Sequence, residues 1–187
     1  MQPYLLFLGN LLISSAAAAE SPLTICVNYH CEQQLEIQLT PDEWQAVLSP
    51  FAEPANDART ERTQVSRAIA LFEKVVGPHA RTNTDKARND GDGDQIGQLD
   101  CIAESKNTKH YLNWLDRKGK LRWHSVENRI SRSPLLFDVH WSAVIKQHTN
   151  NKSYVVDSWF YANGEVPVIQ PVDQWLEKRS FSNQVIP

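Results

Sequence analysis

This chain lacks the basic excess that would face a nucleic acid. Its 19 Lys and Arg stand against 22 Asp and Glu, for a net charge of -3 over 187 residues, so no phosphate-binding field is expected. It also lacks, after its first residues, any apolar run approaching the ~20 residues of a membrane-spanning helix. The mature protein is therefore expected not to span a membrane. No internal repeat and no linker-like stretch divides the sequence, which predicts one domain over 20–187. Cysteine is scarce as well: three residues, Cys26, Cys31 and Cys101, cannot all pair with one another.

The first residues, MQPYLLFLGNLLISSAAAA, contain no charged side chain, run apolar from Tyr4 to Ile13 and end in small residues. They read as a secretory signal peptide over 1–19, with an A-x-A cleavage site in Ala17-Ala18-Ala19. No Lys or Arg supports the amino terminus in its n-region, and a retained N-terminal anchor is the alternative. Export would place the protein in the periplasm or outside the cell, where disulfides persist. Cys26 and Cys31, in CVNYHC, can then close a small disulfide loop. Zinc is the weaker use of Cys26, His30 and Cys31, because no fourth ligand lies near. Cys101 is left as an odd thiol, which in an exported protein suggests a reactive group or an intermolecular bridge.

Periodicity predicts an α+β fold, N-terminal helices followed by an antiparallel sheet. LEIQL (35–39) alternates as a short strand. Thr40-Pro41-Asp42-Glu43 combines an N-cap threonine, an N1 proline and an N3 glutamate, and opens a helix through Trp44, Val47 and Leu48. Val65, Ile69, Phe72 and Val76 predict a second helix from Asp57 to Val76, stopped by Gly77-Pro78. Residues 79–99 read as a polar loop. After Cys101, Tyr111, Leu112 and Leu115 mark a third helix that ends at Gly119. Strands are predicted in 121–128, 138–147 and 153–160, the last two joined as a hairpin at Asn150-Asn151.

Cys101 thus opens a helix, where unpaired N–H groups and the helix dipole favour a thiolate, the nucleophilic form. A thiolate nucleophile needs a base and the base an orienting group. The hairpin brings His140 and Asp157 to neighbouring strands. Asp157, inside the apolar strand YVVDSWF, needs a partner, whether His140 or an arginine. His124 is the reserve base and Asp138 the reserve orienter. The tryptophans at 114, 123, 141, 159 and 175 are mostly core by spacing, with one or two available to line a groove.

This order, a helix-borne Cys101 followed by His140 and Asp157 on successive strands, resembles the transglutaminase-like, papain-like superfamily, and in particular the bacterial transglutaminase-like cysteine proteinases. The resemblance covers 95–160. It implies a papain-like core in which Cys101 is nucleophile, His140 general base and acid, and Asp157 the orienting carboxylate. It also implies hydrolysis of an amide in a protein or peptide substrate of the cell envelope, with no cofactor. Gln95, six residues before Cys101, matches the oxyanion-hole glutamine of papain-like enzymes, where its amide would join the Cys101 N–H; Gln98 is close by. The related proteinases tend to flank the cysteine with acidic residues that bind calcium. Here Asp100 precedes it, but Ile102 follows, with Glu104 beyond. Asp90, Asp92 and Asp94 begin like a calcium loop and then depart from it, Gln95 standing where glycine belongs and Cys101 where glutamate belongs. They read mainly as a solvated loop. From another class, the same features would suit a non-catalytic transglutaminase-like domain that binds an envelope component.

Overall fold

The computed structural model describes residues 20–89, 91, 93–133 and 139–177. The expected signal peptide, the calcium candidates Asp90 and Asp92, and the reserve orienter Asp138 lie outside them. The described chain combines helices with two antiparallel sheets, the α+β class that the periodicity predicts.

The order of elements differs from the expectation at the start. Before any helix, β1 (Leu23–Val27) pairs with β2 (Gln33–Ile37), Leu23 opposite Ile37 and Val27 opposite Gln33. A Cys26–Cys31 disulfide closes the turn between them. β1 escapes a search for alternation because its pattern, LTICV, is buried at almost every position, so no polar face breaks the run. The predicted strand in 35–39 is displaced by two residues, since β2 ends at Ile37 and the chain prepares the helix cap.

That cap forms as predicted. In α1 (Pro41–Leu48) the Thr40 hydroxyl accepts from the Glu43 N–H, and Glu43 accepts from the Thr40 N–H at 2.8 Å. α2 (Ala58–Ala80) continues beyond the expected stop at Gly77-Pro78. Proline disfavours a helical predecessor chiefly through that residue's Cβ. Gly77 has none, and a Cβ there would come within 3.1 Å of Asn83 and Asn163. The helix therefore closes one turn later, at left-handed Arg81, with Thr82 N–H donating to the Gly77 carbonyl at 2.9 Å.

α3 (Cys101–Arg117) starts at the nucleophile candidate. The second sheet follows: β3 (His124–Val126) and β4 (Ile130–Arg132) both pair with β5 (His140–Gln147), which pairs with β6 (Ser153–Asp157), which pairs with β7 (Val168–Pro171). α4 (Val172–Leu176) ends the described chain. The predicted strands are thus present but shorter, and β4 and β7 were not foreseen. One hydrophobic cluster joins both sheets to all three long helices, from Leu23 and Ile25 through Phe72 and Leu112 to Val156 and Ile169. Phe72 stacks on Tyr111 with centroids 4.6 Å apart, and Trp44 on Trp114 at 4.3 Å. This packing of α3 against α2 and against β5 fixes the start of α3 beside the start of β5.

Candidate active site

The site begins with a helix cap. Asp100 Oδ1 accepts from the Ala103 N–H at 2.9 Å, which fixes the first turn of α3. Its other oxygen, Oδ2, is held by the His30 N–H and lies 3.0 Å from His30 Nδ1. The disulfide loop therefore buttresses the residue before Cys101. Farther along α3, Asn107 brackets the backbone of Cys26, accepting from its N–H at 2.7 Å and donating to its carbonyl at 3.0 Å. Cys101 retains 9% of its surface and is the free cysteine. Its Sγ lies 3.6 Å from the Val139 carbonyl, to which the thiol can donate. Its backbone N–H, one of the orphan donors of a helix start, has no hydrogen-bond acceptor among the described residues.

His140 opens β5 immediately after Val139 and is buried. Its Nε2 lies 2.8 Å from Asp157 Oδ2. The hairpin register explains the approach: Ala143 pairs with Val156, so His140 and Asp157 fall on one face as diagonal neighbours. Asp157 Oδ2 also accepts from Trp175 Nε1 at 2.8 Å. Trp159, Phe160 and Trp175 surround the imidazole with centroids 4.6, 5.1 and 5.6 Å away. His140 Nδ1 is buried without a closed hydrogen bond, while the Cys101 side chain acts on the ring as hydrogen-bond partner and charge. Burial, the largest single influence, pulls the imidazole's pKa down. The Asp157 hydrogen bond, Cys101 and the charges of both together outweigh it and raise the pKa to about 9.

The other sequence candidates are placed differently. His124, the reserve base, is fully buried in another pair: its Nδ1 lies 2.8 Å from Glu61 Oε1 and its Nε2 3.3 Å from Arg62 Nη1. Gln95 is exposed, and its carbonyl closes a turn with the Gln98 N–H at 3.3 Å. Gln98 is buried with its amide committed to the loop, accepting from Lys86 N–H and the Asn89 amide and donating to the Thr84 carbonyl. Glu104 does not join Asp100 or Asp94. It is buried beside Glu73 and Asp85, and burial first, then the charges of these two, hold its pKa well above the ordinary carboxyl range. Burial likewise raises Glu73 to about 7 against hydrogen bonds from Gly164 and Ser158. No group of three or more His, Cys, Asp and Glu is arranged for a metal ion among the described residues. Trp114 and Trp175 are core; Trp123, Trp141 and Trp159 are partly exposed.

Three features escape sequence reasoning: the Trp175 bond to Asp157, the Glu73, Asp85 and Glu104 cluster, and Arg129. Arg129 Nη1 donates to Ser105 Oγ at 2.9 Å and to the Ile102 carbonyl at 3.3 Å, inside the first turn of α3. Only Asp85 and Glu73, charged residues amid loop and helix positions that the fold buries, carried a sequence-level hint, and it was not specific. Comparison with models of protein families, with curated proteins and with solved structures finds no match to this chain.

Proposed function

We propose that this chain is an exported, cysteine-dependent amide hydrolase, a divergent transglutaminase-like domain with a papain-like core that acts on a protein or peptide of the cell envelope. The observation that carries the reading is the position of His140, bonded through Nε2 to Asp157, with Nδ1 left without a closed hydrogen bond and the Cys101 side chain acting on the ring. An imidazole with a pKa of about 9 is protonated at neutral pH, and a cation facing a thiol favours the thiolate. In the proposed cycle Cys101 Sγ adds to the amide carbonyl carbon. The oxyanion is met by the Cys101 N–H. The C–N bond breaks as His140 gives its Nδ1 proton to the leaving nitrogen. Water then adds to the thioester, losing its proton to His140, and the acid product leaves as the proton pair of Cys101 and His140 is restored. No cofactor takes part; calcium, if bound, would be structural. The Cys26–Cys31 disulfide is consistent with export.

The test is alkylation of Cys101 by iodoacetamide across pH, read by mass spectrometry on the intact protein. The reading expects reaction near pH 6 far faster than that of an ordinary thiol with a pKa of about 8.5. A rate at pH 6 no greater than an ordinary thiol's would remove the nucleophile. A second reading, a non-catalytic envelope-binding domain, draws on the Sγ contact with the Val139 carbonyl and predicts that slow rate.

A further inference from the structure

Arg129 is the cation at the mouth of this site whose charge the fold leaves unanswered. Its Nη1 is used by the Ser105 hydroxyl and the Ile102 carbonyl, and Ser105 in turn donates to the Cys101 carbonyl at 2.6 Å. The guanidinium carbon lies 4.8 Å from the centroid of Trp141. These partners are neutral. They fix the plane of the guanidinium without neutralising it, and no ion pair to an Asp or Glu is formed among the described residues. Nη2 and Nε make no hydrogen bond to a described residue, which leaves donors of the planar fork available on one side. Asp100 and Cys101 are the charges that act on Arg129. Asp100 is already held by Ala103 and His30.

A groove lies beside the segment that precedes this arginine. It has a volume of about 660 Å³ and is lined by Lys109, Asn113, Val126, Glu127 and Asn128. Lys109 Nζ donates to Asn128 Oδ1 at 3.0 Å, so the segment 128–129 lies along α3, tied at Lys109 and again at Ser105. The groove lies along the later turns of α3, at Lys109 and Asn113, and reaches residue 128, the neighbour of Arg129 in the chain. Its charges are Lys109 and Glu127, and Glu127 is engaged by Lys146 at 3.7 Å and by the Ser153 hydroxyl.

We propose that Arg129 is the specificity residue of the hydrolase proposed above, binding a substrate carboxylate through the unused side of its guanidinium, so that the substrate class is a peptide bearing a carboxylate close to the scissile amide. The inference rests on Cys101 being the nucleophile. A carboxylate is the group that takes two parallel N–H donors from one arginine. It comes from either of two sources, an acidic side chain or a free chain end.

The experiment compares iodoacetate with iodoacetamide as alkylators of Cys101 in the folded protein, each rate ratio being taken against that of the urea-unfolded chain. The ratio cancels the thiolate fraction, so changes in Cys101 ionisation do not enter it. A held carboxylate raises the iodoacetate to iodoacetamide ratio by about tenfold or more. Arg129→Gln should return it to the unfolded value, and Arg129→Lys, which keeps the charge without the fork, should fall between. A wild-type ratio equal to the unfolded one overturns the proposal without any variant. A high ratio that persists in Arg129→Gln also overturns it, since the attracting cation would then be His140. If both reagents react near pH 6 no faster than with an ordinary thiol, the nucleophile reading itself has failed, a distinct outcome. The source is read from protection of Cys101 against iodoacetamide by three capped tripeptides: one with an internal aspartate and amidated end, one neutral with a free carboxylate end, one neutral throughout. Protection by either of the first two above the third supports the substrate class and names the source; equal protection by all three overturns it.

Discussion

Two buried histidines of this fold each hold a carboxylate at 2.8 Å, His140 with Asp157 and His124 with Glu61. They differ in what meets the second ring nitrogen. His124 Nε2 faces Arg62 Nη1 at 3.3 Å. An arginine can only donate, so that nitrogen accepts and the ring's proton sits toward Glu61. Glu61 is further saturated by the Arg122 N–H at 2.6 Å and the Trp123 N–H at 3.0 Å, and Arg62 is tied to Gln147 and lies over Tyr154. The ring nitrogens of His124, the Glu61 carboxylate and Arg62 Nη1 are all spent on joining α2 to the start of β3 and the end of β5. His140 leaves its second nitrogen without a closed hydrogen bond, and the Cys101 thiol is among the groups that act on its ring. A histidine with its carboxylate is therefore as much a structural clamp as a catalytic device, and the free face of the ring separates the two uses.

The largest expected effect comes from opening the clamp. Glu61→Ala leaves the buried His124, and two part-buried backbone N–H groups, without their acceptor, and should cost about 3–5 kcal/mol of stability in urea unfolding, whereas Asp157→Asn should cost clearly less. Equal losses would erase the distinction. Next, His140→Ala should slow alkylation of Cys101 near pH 6 by roughly a hundredfold, the scale on which an ordinary thiol loses its thiolate there; His124→Ala, measured where it remains folded, should leave that rate within a few-fold.

The pH dependence of stability sharpens the contrast further. The His140 pKa is raised in the folded state, from the ordinary 6.5 to about 9. Its contribution is thus fully present below pH 6.5 and is lost as pH rises through about 9. Urea midpoints should fall across that window, and Asp157→Asn should flatten the fall. Glu73, raised from 4.5 to about 7, adds an earlier decline that begins above pH 4.5, to which the raised Glu104 beside it also contributes; Glu73→Gln should reduce this earlier decline and leave the one through about pH 9 in place. The smallest effect is at Trp175→Phe, which deletes one hydrogen bond to Asp157 worth about 1 kcal/mol. It should slow Cys101 alkylation by a few-fold with the protein intact, and a null result there would make Trp175 simple packing.

Much of this arrangement was legible before any coordinates. The capping box at Thr40, the helix opening at Cys101 and the hairpin at Asn150-Asn151 depend on residues within a few positions of one another, and each is where the sequence places it. The choice of His140 over His124 was weakly legible, through the hairpin spacing alone. Gln98 was beyond reach. Three residues from Gln95, with the same side chain, it is buried and committed to three loop partners, while Gln95 faces solvent. Glu104, four residues after Asp100, was grouped with it by proximity in sequence, whereas the fold buries it in the environment shared with Glu73 and Asp85.

The amino-acid sequence by itself determined the α+β class, the start of α3 at Cys101, the pairing options of three cysteines and the reach between the two strands that carry His140 and Asp157. These follow from local propensity, capping and hairpin closure, all short-range. Tertiary structure alone decided that α2 runs through Gly77-Pro78, that β1 comes first, that His124 serves Glu61 and Arg62, and that Arg129 stands at the first turn of α3. Such outcomes depend on which distant surfaces are buried together, because a polar side chain's role is set by the partners that remain once water has been excluded.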